Sequence, residues 1–304
     1  MTIPHRSAPG VRDLVAQTEQ LPMLPSVVMR LLALDPRSDR YFETLLEVAE
    51  DDPTFAVRLI RLANAPTSAP RTPIVSIRQA VVRLGAKECT GLVTAVAIAR
   101  VFLPTTEDQR NLWLHSLQVA VAARAIAGLM SGVSTEQAYT AGLLHDIGRF
   151  VMFEGAAADL SRVDETQWHS PQQLLDAEHS LLGYDHVQLG VLVCRRWCIP
   201  ETITEVVRLH HAYPGEHASV SIGPIVAAVQ LADLVSMMLI EAPGFADQEP
   251  LVIAEELTER CAAQHRPNPP VSPSVLAQRI ASIRDDASEI AERLLNVTIS
   301  RKPA

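Results

Sequence analysis

The sequence predicts an all-α protein, a bundle of packed helices. Two observations carry that prediction. Apolar residues recur at steps of three and four, the period of a helix with one buried face. Between these runs stand residues that start and stop helices: serines followed three positions later by glutamine, prolines at first turns, and a glycine at a helix end. At 304 residues, 48% hydrophobic and 20% charged, the chain has a globular composition and enough length for two ordinary domains.

Residues 1–20 are polar and weakly patterned, a lead-in with one short helix. Pro22 and Pro25 punctuate the next segment, and the apolar run to Leu34 reads as a helix. YFETLLEVAE at 41–50 is a second. Asp52 before Pro53 pairs an N-cap with a proline at the first helical position, opening a helix through FAVRLIRLAN. A proline-bearing loop covers 65–73. Ser76 and Gln79 then make a capping-box pattern, and IRQAVVRL stops at Gly85. The helix at 87–102 is nearly all apolar, hence buried. Residues 1–105 show no strand-like alternation of useful length.

Pro104 and TTEDQRN mark a break. The long apolar helix that follows carries His115. Ser134 and Gln137 repeat the capping-box pattern and open the helix that delivers His145 and Asp146. After a polar stretch near 155–170, residues 171–197 carry His179 and His186. Pro200 opens a helix ending in His210 and His211, and 222–241 form an apolar helix interrupted by Asp233. An amphipathic helix at 247–264 and a proline-rich break lead to a last helix at 274–296. There Leu276, Ile280, Ile283, Ala287, Ile290 and Leu294 form a seam of 3.5-residue period. Such a seam suits docking on the chain's own core or a partner helix, including a second copy. The predicted division is a lead-in at 1–20, a helical subdomain at 21–105, a site-bearing subdomain at 106–241 and a C-terminal extension at 242–304.

A net charge of −9 argues against a broad nucleic-acid surface, which needs a basic face. None of the four cysteines forms a CxxC pair. Cys194 and Cys198, four apart, are expected on one helical face. The absence of a disulfide framework suits a reducing compartment. The apolar stretches 92–103 and 222–240 contain Arg100, Gln230 and Asp233, so neither is expected to span a membrane. The first 20 residues lack a signal-peptide core. A cytoplasmic location is expected.

His145 and Asp146 sit side by side in AGLLHDIGRF at 141–150. Imidazole and carboxylate both ligate metals, and a mixed nitrogen and oxygen set suits iron, manganese or zinc. His115, His145, His186, His210 and His211 fall on apolar helices, as do Asp146 and Asp233. One buried histidine is ordinary. A buried carboxylate is costly unless paired, hydrogen-bonded or metal-bound, and ligands from separate helices can converge in a bundle core. The set as a whole points to a metal site.

These residues, in the order H…HD…H…HH…D, resemble the HD superfamily of metal-dependent phosphohydrolases. The resemblance is closer to its HDOD branch, related to the HD-GYP phosphodiesterases. It rests on LPMLPSVV at 21–28, DPTFAVRLIRLANA at 52–65, IVSIRQAVVRLG at 74–85, WLHS at 113–116 and GLLHDIGR at 142–149. EHSLLGYDHVQLG at 178–190, RRWCIP at 195–200, HH at 210–211 and AD at 232–233 extend it over roughly residues 20–240. It implies an N-terminal helical subdomain packed on an HD-like bundle. It implies that His115, His145, Asp146 and Asp233 are the four ligands of one metal, with Asp146 bridging if two bind. His186 and His210 match the positions of a second ion, with His211 beside them. The ion is a divalent metal: Fe, Mn, Zn or Mg. Arg149 faces a phosphate on this reading, or is a solvated cation at a helix end.

The sequence departs from HD-GYP enzymes in three places. HHAYPGEHAS has Tyr213 and Pro214 without the glycine of their Gly-Tyr-Pro motif, Arg149 stands where they usually have lysine, and Asn111 offers no carboxylate. These departures stand against cyclic di-GMP hydrolysis. The resemblance therefore implies a bacterial signalling protein with an HD-type metal site, acting through a partner protein or a nucleotide second messenger. The alternative is a phosphohydrolase acting on a nucleotide or cyclic nucleotide, with Asp146 and Arg149 in its catalytic machinery.

Overall fold

The computed structural model describes residues 18–19, 21, 23–24, 26–34, 38–51, 56, 59–60, 62–64, 73–164, 170–213, 222–266 and 268–299. Among them there are helices and no strand, as the sequence predicts. Two compact units emerge. One comprises residues 22–103, 197–200 and 293–304, and the other residues 1–21, 104–196 and 201–292.

In the smaller unit, α1 (Ser26–Leu32), α2 (Asp39–Asp51) and α3 (Ile77–Val101) pack on one another. Val28 and Leu31 of α1 and Tyr41 and Leu45 of α2 are buried, as are Val93, Ala97 and Ile98 of α3. Ser76 caps α3 by accepting the Gln79 N–H. The stop expected at Gly85 is a kink, φ 79° and ψ 160°, after which the helix resumes. The helix start expected at Asp52 and Pro53 lies outside the described residues.

The larger unit holds α4 (Glu107–Ala127), α5 (Thr135–Leu144), α6 (Ile147–Asp164), α7 (Pro171–Leu182), α8 (His186–Arg196), α9 (Glu201–Leu209), α10 (Gly223–Glu241), α11 (Pro250–Ala263), α12 (Pro273–Ala277) and, up to Glu292, α13 (Ile280–Ile299). Its centre is α4, against which α5 and α10 both pack. Thr106 and Gln109 form a reciprocal capping box at the start of α4, and Ser134 caps α5 through the Gln137 N–H. Trp113 and Phe150 meet edge to face with ring centroids 4.9 Å apart. Arg124 lies over the Tyr139 ring at 3.9 Å, fixing α5 on α4.

Several expectations are corrected. The polar stretch near 155 does not interrupt α6, which continues to Asp164. No helix boundary is set from sequence within 171–197; the structure has two helices there, divided where Gly183 takes a left-handed φ of 82° and closes α7. The last helix is broken between Ala277 and Ile280. Its seam faces the interior of the chain: Leu276, Ile280, Ile283 and Ala287 are buried, so core docking describes these positions. Cys194 and Cys198 share no helical face, because α8 ends at Arg196 and Cys198 is exposed with a φ of 51°. Burial pushes the Cys194 thiol up to about 12. The helix α10 is long and apolar enough to cross a membrane by length and composition, and most of it is buried inside the protein.

Candidate metal centre

Five chain segments deliver the centre. His115 lies in the middle of α4. His145 and Asp146 occupy the break between α5 and α6, so the dipeptide terminates one helix and precedes the next. His186 is the first residue of α8. His210 and His211 form the turn after α9, and Asp233 lies on α10. The motif glycines allow this convergence. A Cβ on Gly142 would stand 2.9 Å from the Val119 carbonyl oxygen of α4. A Cβ on Gly148 would stand 2.0 Å from the His186 carbonyl oxygen. Glycine at these two positions lets α5 approach His115 and α6 approach His186.

The histidines are oriented by what their outer nitrogens touch. His145 Nδ1 donates to the Gly142 carbonyl at 2.8 Å, and His210 Nδ1 donates to the Val207 carbonyl at 2.7 Å. His186 Nδ1 donates to Glu178 Oε2 at 2.6 Å, and the same oxygen accepts the His186 backbone N–H at 2.9 Å. His115 Nδ1 donates to Ser236 Oγ at 2.9 Å, whose own proton goes to Gln118 Oε1 at 2.7 Å. With Nδ1 protonated in each neutral ring, each Nε2 carries a lone pair. Those lone pairs face one another: His115 Nε2 is 3.2 Å from His145 Nε2, and His186 Nε2 is 3.2 Å from His210 Nε2. Two acceptors at that distance repel unless a cation lies between them.

Asp146 stands between the two pairs. Its Oδ2 is 3.6 Å from both His115 Nε2 and His145 Nε2, while its Oδ1 is 3.3 Å from His186 Nε2 and 3.4 Å from His210 Nε2. Oδ1 is buried and has no hydrogen-bond partner. Asp233 Oδ1 lies 3.4 Å from His115 Nε2, and its Oδ2 lies 4.0 Å from His211 Nδ1. The donors fall into two sets, each within 4.8 Å internally: His115, His145 and Asp233, and Asp146, His186, His210 and His211. Ligands about 2.1 Å from one ion lie roughly 3.0–3.4 Å from each other, close to the spacing of the paired imidazoles. An orphaned carboxylate oxygen and facing lone pairs fit a divalent metal.

The electrostatics favour the ligating forms of His115, His145, His211 and Asp146, and oppose those of Asp233 and His186. Burial pushes His115 down to about 3 and holds His145 and His211 below the usual histidine range, so these rings are neutral donors. Burial opposes charge on Asp146, but His145 and His186 beside it outweigh that and hold its carboxyl well below the usual range. Burial raises Asp233. Burial also disfavours charge on His186, which Glu178 and Asp146 overcome, raising it.

A cavity of about 700 Å³ opens onto the centre, with His115, Asp146, His211 and Asp233 in its wall. Arg149 lines it too. It is only 8% exposed, so it is not a solvated cation at a helix end. Its Nη1 lies 3.8 Å from Glu178 Oε1. Asn111 also faces the cavity, beside apolar Leu112, Phe153, Leu174 and Met237.

Every residue expected at the site from sequence lies in or beside this centre. Glu178, Ser236 and Gln118 were not foreseen. Glu178 sits beside His179 on α7. His179 is exposed and Glu178 fully buried. The available signal was the helical step: Glu178 follows Leu174 by four, on the buried face of α7.

Comparison with known proteins agrees with the fold. A structure of an HDOD domain protein from Geobacter sulfurreducens is 25% identical, covers 92% of this chain and 99% of its own, and superposes with a TM-score of 0.67. A Shewanella amazonensis protein suggested to be a phosphohydrolase is 24% identical over 92% of this chain and 97% of its own, with a TM-score of 0.68. An uncharacterised protein of Treponema pallidum is 24% identical over 219 residues, 71% of this chain and 42% of that protein. The chain thus spans less than half the length of that curated relative. Residues 21–213, well over half of the sequence, match the HDOD domain family, and the chain belongs to that family.

Proposed function

We propose that this HDOD protein binds two divalent metal ions and hydrolyses a phosphoester of nucleotide type, as a cytoplasmic component of bacterial signalling. The observation that carries the reading is the Asp146 carboxylate, with one oxygen toward each imidazole pair. In this reading His115, His145, Asp146 and Asp233 hold one ion, and Asp146, His186, His210 and His211 hold the other. The nitrogen-rich donor set suits Fe, Mn or Zn better than Mg, which prefers oxygen. Bound metal lowers the pKa of a water toward neutrality and neutralises charge on a transferring phosphoryl group. The chain's own residues supply the rest. Asp146 stays ionised between the imidazole pairs. Arg149, buried at the cavity wall, provides a fixed cation for a phosphate oxygen. Leu112, Phe153, Leu174 and Met237 give an apolar surface for a base or sugar and exclude water.

A second reading is binding without turnover, in which a partner protein or nucleotide reports the state of the site. Asn111 favours it, since it faces the cavity where a carboxylate would be needed for a further ion. The two readings separate on one preparation, purified without chelator, measured for metal content and assayed on phosphomonoesters, nucleotides and cyclic dinucleotides. About two metals per chain and turnover that disappears in Asp146→Ala support hydrolysis. Bound metal with no turnover on any substrate overturns it in favour of the binding role.

A further inference from the structure

The segment after α10 lies outside the matched family residues, 21–213, yet it reaches the metal centre. At the end of α11 the His265 N–H bonds the Ala262 carbonyl at 3.0 Å and the Arg266 N–H bonds the Cys261 carbonyl at 2.8 Å. His265 takes a left-handed φ of 57° to allow this, a conformation that normally falls to glycine. The closure directs Arg266 back across the unit, where its Nη2 donates to the Ala212 carbonyl at 3.0 Å. Ala212 directly follows His210 and His211. Gln230 of α10 holds the same turn, its Nε2 donating to Leu209 at 2.9 Å and to Ala212 at 3.1 Å. Arg266 is partly buried, its Nε is enclosed without a hydrogen-bond partner, and its charge acts on Asp233.

We propose that Arg266 is a positioning residue for the metal held by Asp146, His186, His210 and His211, so that the C-terminal arm is a working part of the centre. The inference rests on the two-metal reading above. The reasoning is geometric. His210 and His211 lie in a turn after a nine-residue helix, where backbone carbonyls lack helical partners. A turn carrying two ligands must be held from outside, and Arg266 and Gln230 supply the donors. Removing Arg266 therefore takes the outside brace from the turn that carries His210 and His211, and from the ion held there.

The test is the full-length Arg266→Met variant, which keeps side-chain bulk and removes the donors. Wild type and variant are dialysed against graded Mn²⁺, and bound metal is read by elemental analysis and electron paramagnetic resonance. Wild type should hold about two ions with the spectrum of a coupled pair. The variant should lose one ion, with affinity at that site lower by about 10–100-fold, the usual effect of removing a group that orients a ligand. Its remaining ion should stay bound and give an uncoupled signal. Arg266→Lys, which restores a cationic donor, should recover part of the lost affinity. Two ions bound by Arg266→Met with wild-type affinity would overturn the inference. So would failure of both variants to fold without metal, which would make the arm a scaffold only. Wild type holding no metal would instead sink the two-metal reading itself.

Discussion

At the residue scale, the centre depends on the groups that set which nitrogen is free: backbone carbonyls for His145 and His210, side chains for His115 and His186. Glu178 accepts two N–H bonds from His186 through one oxygen. Burial works against its charge, but His186 beside it holds the carboxyl below the usual range. Glu178→Gln keeps an acceptor and removes the charge that makes the ring basic. The expected outcome is an affinity loss toward the 10-fold end of the usual 10–100-fold range, confined to the ion bound by His186, His210 and His211. Competition with a fluorescent metal chelator measures it, and an unchanged affinity would remove Glu178 from the site. This glutamate was hard to read in the sequence because acidic residues are common on helix surfaces. Its burial depends on α7 and α8 folding back at Gly183. The ligands were easier. Asp146 and Asp233 lie in apolar surroundings, where an unpaired carboxylate costs several kcal/mol.

At the element scale, helices must approach closely for five segments to meet. Gly148 permits the contact between α6 and α8. A Cβ there would collide with backbone, which cannot rotate away as a side chain can. Gly148→Ala is expected to lower stability by about 1–3 kcal/mol and to weaken metal binding, because His186 sits at the contact. Gly244→Ala is the control: a Cβ there meets nothing within 4 Å, so the change should stay within about 0.5 kcal/mol. Thermal unfolding of both variants without metal, followed by metal titration, measures the effects. Equal loss in the two would refute a specific role for the α6–α8 contact. Two helix starts were legible, since Ser76 and Ser134 cap as their spacing to glutamine predicts, whereas the Thr106–Gln109 box was seen only in the structure. The breaks at 183–185 and 278–279 were not, since apolar periodicity runs across both and tertiary packing decides where the chain turns.

For the whole molecule, the proposed metal binding would be linked to folding. The two imidazole pairs face their lone pairs together at 3.2 Å, an arrangement unfavourable without a cation. A ligand that binds only the native state adds about 2.7 kcal/mol at a free concentration 100 times its Kd. Chelation with EDTA is therefore expected to lower the thermal unfolding temperature by several degrees, and added Mn²⁺ or Zn²⁺ to restore it. Calorimetry in both conditions checks this, and an unchanged midpoint would show that the cluster binds no metal of consequence. The seam of the last helix belongs to this scale too. Leu276, Ile280, Ile283 and Ala287 are committed to the chain's own interior, so that stretch serves the fold before any partner.

The sequence by itself determined the all-α class, the capped helix starts at Ser76 and Ser134, and which histidines and aspartates to follow as candidate ligands, because helical periodicity, capping and the cost of buried charge are local or compositional properties. Tertiary structure alone decided the arrangement that gives the centre its chemistry. The sharing of Asp146 between two imidazole pairs, the supporting roles of Glu178 and Ser236, the burial of Arg149 and the reach of Arg266 to Ala212 join residues from 8 to 121 positions apart. No local rule links such positions. They meet because glycines at 142 and 148 let the helices close, and because buried donors and acceptors must find one another once water is excluded.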